Sequence, residues 1–462
     1  MKKILLYILL LFLPQVISAQ SIRGQVAQKA KVVIPKSLPL IKTKKASKPI
    51  KAEIDTIYCL STKRQHGWID GLDIVSKEDA KHNFRYFMLT NRNSDGHWTK
   101  MQVLNGYGNY VEGQGESPYI LSIKNGETDV NANRDWVRRL KTVCQYEFIE
   151  DPIMGTFVQE RAYDKNMTLV YTFSRMRIGN NKYLGTYKDS YGLPAEMRVD
   201  SAYTYGTLAV ITEDIWGNDS IVEFVDSKGI PKNNNDGVGM EVQVGDKYGH
   251  IIKQMSCDHD GNLVIDNWGH CGAENTYDMK THRKKTQMTM DNHWQPMPTP
   301  FLREDDGIRG CVKIEYFYDK FGRDTAINVI TPQDEPTVNV YGTHRFVRKY
   351  DNYGNRIISA GYDLKGNLSP LDGSGVALCK TEYDDLGRDT FGENFDKDRN
   401  PLSTQDRISR YKCVYGDDGL LDEQVYWAIK DGEEDTCYYY KRTINSYYER
   451  YNDGSFKIDS ID

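Results

Sequence analysis

The sequence predicts a mainly all-β protein, an extended, twisted antiparallel sheet of repeated β-hairpins preceded by a small mixed α/β N-terminal domain. Three observations carry that prediction. A tyrosine-aspartate turn recurs as Tyr318-Asp319-Lys320-Phe321-Gly322, Tyr350-Asp351-Asn352-Tyr353-Gly354 and Tyr383-Asp384-Asp385-Leu386-Gly387, at steps of 32 and 33 residues. A second aspartate turn sits 12 residues into most units, as in Val225-Asp226-Ser227-Lys228-Gly229, Cys257-Asp258-His259-Asp260-Gly261, Tyr362-Asp363-Leu364-Lys365-Gly366 and Phe395-Asp396-Lys397-Asp398-Arg399. The 462 residues also include 32 tyrosines and 38 glycines, a composition suited to half-buried strands joined by tight turns.

The elements follow in chain order. Residues 1–19 join Lys2 and Lys3 to an apolar run, Ile4 to Leu13, and a small-residue exit, Ile17-Ser18-Ala19, which is the pattern of a secretory signal peptide. The expected product is exported, to periplasm, cell surface or exterior, with no transmembrane span. Residues 20–52 carry nine basic side chains, no acidic one, and Pro35, Pro39 and Pro49. This is an extended basic linker with affinity for anionic surfaces. From Glu53 onward 49 basic residues face 65 acidic ones, a formal charge of −16, so nucleic acid is a poor partner for the body of the protein.

Residues 53–160 read as the mixed domain. Phe84 to Thr90 and Thr99 to Leu104 are strand-like, joined by Asn91-Arg92-Asn93-Ser94-Asp95-Gly96, and Asp129 to Cys144 has helical spacing, giving one helix near 129–144. The repeat region spans 161–440, with first positions at 213, 245, 277, 318, 350, 383 and 415. Only the step from 277 to 318 breaks the rhythm, and Pro296-Met297-Pro298-Thr299-Pro300 within it reads as an inserted loop. Residues 441–462 form a C-terminal tail.

In each unit aspartate at the first position of a type I turn can accept hydrogen bonds from backbone further on, and glycine three residues later supplies the left-handed residue of a G1 bulge. Most aspartates are thereby assigned to folding. The motif in Tyr318 to Arg323, Tyr350 to Asn355 and Tyr383 to Arg388 resembles the repeat of RHS/YD-repeat proteins, and the hairpin cadence is similar to MORN-type repeats. The resemblance covers roughly residues 185–432 and implies a β-sheet of hairpins and nothing beyond it; it transfers no catalytic residues.

Four constellations are candidates for chemistry or binding. Cys257, His259, His270 and Cys271 could ligate zinc, although their spacing fits no standard site; alternatively Cys257 and Cys271 form a disulfide closing one hairpin, or remain thiols. Asn91-x-Asn93-x-Asp95-Gly96 with Gln102 loosely echoes a calcium loop but lacks the bidentate glutamate. Asp258 with Asp260, and Asp396 with Asp398, sit in the turn slot. Trp98, Trp216, Trp268, Trp294 and Trp427 fall at or near turns, where exposed aromatics bind sugars or peptides. No cofactor is required, zinc and calcium being the only candidate ions. No standard hydrolase, phosphate or dinucleotide motif is present, and the question of enzyme activity stays open. The reading is a binding or assembly scaffold recognising a protein or glycan partner at the cell envelope, with a secreted, possibly metal-dependent hydrolase of external polymers as the alternative.

Overall fold

The computed structural model describes residues 55–111, 142–193 and 199–460, the last with short gaps at 201–202, 205–207, 227, 234–236, 267–268, 300–309, 403–407, 417–420, 431–432, 444–445 and 452–455. The expected signal peptide, the basic linker and most of the expected helix near 129–144 lie outside the described residues.

Twenty-six strands form one antiparallel sheet. The first eight are β1 (Thr56–Gln65), β2 (Trp68–Val75), β3 (Tyr86–Arg92), β4 (Trp98–Leu104), β5 (Gln145–Glu150), β6 (Phe157–Tyr163), β7 (Leu169–Gly179) and β8 (Lys182–Asp189). Pairing runs β2, β1, β3, β4 and onward to β8, which pairs with Leu208–Glu213. From there the sheet grows hairpin by hairpin to Phe456–Ser460.

The strands Lys313–Tyr318 and Asp324–Ile330 show how each unit is built. Their register slips by one residue between Phe317 and Tyr318. Asp319 Oδ1 accepts hydrogen bonds from the N–H groups of Phe321 at 2.9 Å and Arg323 at 3.0 Å, while Gly322 sits at φ +88°. That is the type I turn with a bulge glycine which the sequence predicts. The same slip recurs before the turns at Asp214, Asp246, Asp278, Asp351 and Asp384.

The second turn differs from expectation. It returns the chain for a single bridge, as in Val225 with Pro231, Met290 with Pro296, Ile330 with Pro336 and Phe395 with Pro401, and proline suits a position that needs no ladder N–H. A third turn then leads into the next unit, at Asp266–Gly269, Asn339–Gly342 or Asp372–Gly375. These units therefore have one full hairpin and three turns, where the two turns read from the sequence would give two hairpins. Pro296 is a regular bridge residue and no part of an insertion. Gly310 donates to Thr299 O at 2.9 Å, so the extra length of that unit falls between these two residues.

The sheet passes through residue 160 without a break, because that residue lies inside β6. The described part of 53–160 is strands and their connections, with one four-residue helix, Lys77–Ala80, whose Asp79 N–H bonds the Ser76 hydroxyl at 3.0 Å. Cys144, expected in the last helical turn, instead bonds Val103 and Tyr163 through its backbone. Residues after 441 remain in the sheet through Ser446–Tyr451 and Phe456–Ser460.

The largest core is drawn from β1 to β8 and the next two strands. Trp68, Ile69, Leu89, Trp98, Met101, Tyr146, Phe148, Phe157, Tyr171, Phe173, Ile211 and Phe224 are buried together there. The β1–β2 hairpin supplies its lid: Trp68 meets Phe157 edge-on at 5.6 Å and stacks on His97 at 4.7 Å. Smaller clusters around Met255 and Val329 continue the core along the repeats.

Candidate interaction surface

The first turns of successive units lie in a row along one end of the sheet, and the N-terminal segment runs along that row. The His66 N–H donates to Gly217 O at 2.7 Å. Three residues back along β1, Lys63 lies so close to Gly249 that a Cβ there would come within 2.8 Å of it, and three further back Leu60 does the same at Gly322, within 2.4 Å. Three extended residues cover about 10 Å, the width of two strands, so β1 steps in register with Gly217 and Gly249. Beyond β1, the His82 ring stacks on Phe321 at 3.9 Å and the Tyr107 ring on Tyr353 at 4.1 Å. Arg283 grips Asp73 of β2 through Nε at 2.6 Å and an Nη nitrogen at 2.9 Å.

In four units the residue after the turn glycine ties one turn to the next. Asn218 Nδ2 donates both to its own Asp214 carboxylate and to Asp246 O of the following unit, each at 2.9 Å. Arg323 repeats this with Asp319 at 2.7 Å and Asp351 O at 2.8 Å. Asn355 bonds Asp351 at 2.7 Å and reaches the Tyr107 hydroxyl at 2.9 Å, which in turn donates to Asp384 O at 3.2 Å. In the remaining case His250 Nδ1 faces Asp246 Oδ2 at 2.8 Å while its Nε2 faces His282 Nδ1 at 3.0 Å. His250 is buried and stacked on Tyr277 at 4.4 Å. Desolvation works against the charge on Asp246, yet the hydrogen bonds from His250 and the turn amides hold its carboxyl below the usual range. In the sequence Arg323, Asn355 and Arg388 close the Tyr-Asp motifs and His250 and His282 belong to a histidine-rich stretch, but the linking role is not visible there. Their signal is that Asn218, His250, Arg323, Asn355 and Arg388 all carry side-chain N–H groups directly after the glycine.

A second polar group missed by sequence reasoning is buried under the β1–β2 hairpin. Arg64 pairs with Glu160, which also accepts from the Tyr171 hydroxyl at 2.8 Å. Arg175 pairs with Glu213 at 2.6 Å, and Glu213 faces His66 Nδ1 at 3.2 Å. Charges this far from water are retained where they fix one arrangement, and here they pin the hairpin to β6, β7 and the first repeat strand.

The predicted site residues are dispersed. Trp98 is buried, with Nε1 donating to Asp70 at 3.2 Å and Arg92 lying 3.7 Å over its ring, so it is a core side chain and not an exposed platform. Trp294 is held by Glu274 at 2.8 Å, and Trp427 lies beneath Arg410 at 4.6 Å. Trp216 remains open to solvent, and Trp268 lies outside the described residues. Cys257 and Cys271 are buried and unbridged, which is the thiol alternative, and the strands around them are joined through backbone, the Ser256 N–H donating to Cys271 O at 2.7 Å. Burial pushes both thiols up to about 12, so neither is a thiolate at neutral pH. His259 bonds Asn233 at 2.9 Å and His270 lies 3.9 Å from Asp266. Among the described residues no three His, Cys, Asp or Glu side chains converge as a metal centre. Asn93 and Asp95 form a hairpin turn, as Asn93 Oδ1 accepts from the His97 N–H at 2.8 Å.

No protein-family model and no curated protein matches the sequence. Among solved structures, the Photorhabdus luminescens Tc holotoxin pore aligns over 80% of this chain and 17% of its own at 9% identity and a TM-score of 0.26. A TcdB2-TccC3-TEV crystal structure aligns over 96% and 24% at 10% identity and a TM-score of 0.22. A porin-like protein from Bacteroides uniformis ATCC 8492 aligns over 68% and 94% at 9% identity and a TM-score of 0.19. This chain thus spans less than a quarter of the toxin chains' length, and overlaps at such TM-scores carry no argument about it. What stands on the fold itself is a repetitive, β-rich architecture.

Proposed function

We propose that this chain is an exported β-repeat scaffold that binds an extended protein or glycan partner at the cell envelope along its row of turns. One observation carries the reading. The residue before the turn glycine is large and apolar at Trp216, Tyr248, Phe321, Tyr353 and Leu386, and Trp216, Tyr248, Tyr353 and Leu386 retain 45, 37, 46 and 52% exposure. Where units adjoin, as at Trp216 and Tyr248 and at Tyr353 and Leu386, the groups stand about 10 Å apart, which suits a partner with a repeat of that length, and amphipathic rings suit both peptides and sugars. The full mature chain is the right reagent, since the N-terminal strands are part of the row.

The test is a titration of immobilised mature protein with β-linked oligosaccharides and with envelope proteins. Binding that falls at least tenfold when Trp216, Tyr353 and Leu386 are together replaced by alanine supports the reading. Binding that is unchanged by the triple replacement, or cleavage of a polymer without stable binding, overturns it.

A further inference from the structure

The same end of the sheet bears a second apolar surface, which adjoins the row at Trp216. The β5–β6 turn carries Ile153 and Met154, the projecting end of β7 carries Met176 and Ile178, and the next hairpin turn carries Ile215; all five are at least half exposed, Ile153 at 93%. They belong to three hairpins that are neighbours in the sheet, because β6 pairs with β7 and β8 with Leu208–Glu213. Six strands make a surface about 25–30 Å across. A contiguous run of large apolar side chains at neighbouring hairpins marks a docking site, in contrast to single exposed leucines.

We infer that residues 32–41 of this chain's own N-terminal segment dock on this surface. Three observations choose that occupant. The described chain begins at Asp55, and Thr56 pairs with Thr90 at the same end of the sheet, β3 and β4 standing between it and β5, a separation of about 15 Å. The 20 or so residues between Asp55 and Ile34 reach several times that far when extended. Within the basic stretch, Val32-Val33-Ile34-Pro35 and Leu38-Pro39-Leu40-Ile41 are its apolar runs, and ten extended residues cover about 33 Å, enough to cross the three hairpins. Finally, the lysines around those runs would meet a body that carries a formal charge of −16, and near the surface Asp95, Glu150, Asp151 and Asp214 outnumber Arg177 and Lys182.

The experiment compares the mature chain from Gln20 with a chain that starts at Lys44. The inference expects the shorter chain to bind a hydrophobic dye such as anilinonaphthalene sulfonate several-fold more strongly, and a synthetic peptide of residues 28–45 to reverse this. It also expects a photo-crosslinker placed at Ile34 of the mature chain to join to the segment 150–180, and that product to disappear with Ile153→Asp and Ile178→Asp, exposed changes that leave the core alone. Equal dye binding by the two chains overturns the inference. So does a crosslink between molecules that rises with concentration, which would assign the surface to a second copy. Loss of partner binding in the Trp216, Tyr353, Leu386 variant is a separate readout, so either idea can fail without the other.

Discussion

His250 and His282, 32 residues apart, meet nitrogen to nitrogen at 3.0 Å, and the far nitrogen of His250 faces Asp246 at 2.8 Å. His250 thus uses one ring nitrogen for its own turn carboxylate and the other for the next unit. Asn218 and Asn355 perform the same linkage elsewhere with an amide. His250→Asn should therefore cost little, because the amide still satisfies Asp246. His250→Leu should cost about 1–3 kcal/mol, since it leaves a partly buried carboxylate short of a donor. Urea unfolding of the two variants checks the order, and equal losses would show that packing against Tyr277 outweighs the linkage.

Two turn glycines separate backbone strain from close approach. Gly354 and Gly366 share a left-handed backbone, at φ +84° and +83°. A Cβ at Gly354 would lie 2.1 Å from the Phe84 backbone nitrogen and 2.4 Å from the Asn83 carbonyl carbon, whereas one at Gly366 meets nothing within 4 Å. Gly366→Ala should cost about 1 kcal/mol from conformation alone. Gly354→Ala should cost at least twice that and should raise amide exchange at Asn83 and Phe84, a change the other variant lacks.

Acid should open the second turns before the strands. Backbone N–H groups of Ile230 and Lys228 hold the Asp226 carboxyl below its ordinary value, and the Asn367 side chain and backbone do so for Asp363. A carboxyl depressed on folding contributes its full stabilisation above the unfolded value near about 4 and loses it as pH falls through the lower folded value. Protection of the Lys365 and Asn367 amides should thus weaken below pH of about 4. Asp363→Asn should flatten that profile, because Asn339 already makes the same turn, accepting from Tyr341 and Thr343 at 2.9 Å each. Hydrogen exchange read by NMR decides it, and a wild-type profile flat to pH 2 would sink the argument.

The buried pair under the β1–β2 hairpin should be costly to break and cheap to replace. Arg64→Ala leaves Glu160 charged and enclosed, with an expected loss of about 3–5 kcal/mol. Joint replacement, Arg64→Met with Glu160→Gln, keeps an acceptor for the Tyr171 hydroxyl and should recover most of it. The coupling is measured by a double-mutant cycle in urea, and additive losses would mean that the two side chains act independently.

The turns were legible in the sequence because their residues answer local demands. Aspartate at 319, 351 and 384 accepts nearby amides and glycine at 322, 354 and 387 relieves a left-handed backbone, so motif and geometry coincide. The third turn was harder to see, since Asn339-Val340-Tyr341-Gly342 and Asp372-Gly373-Ser374-Gly375 share little beyond their ends. The course of the N-terminal strands could not be read at all. Whether β1 begins a separate domain or lies along the row of turns depends on contacts such as Arg283 with Asp73, 210 residues apart, which no local pattern records. The same holds for Trp98, whose position beside a turn suggested exposure while the returning hairpin covers it. Likewise, the Cys257 and Cys271 pair looked like a hairpin staple only because the backbone bonds that already join those strands cannot be seen in a spacing.

The contact of Tyr107 with Asp384 spans 277 residues and has a kinetic meaning. The first strands are made early, but the surface they rest on is complete only when the unit near residue 384 has been synthesised. Contacts of such separation slow folding, because a long chain must close before they repay its entropy. Until then β1 and β2 have apolar side chains with nowhere to go, which makes the unfinished chain a natural client for a holding chaperone. Adding or deleting one hairpin midway would change where the last turns meet Tyr107, so this repeat array has a length set from its beginning.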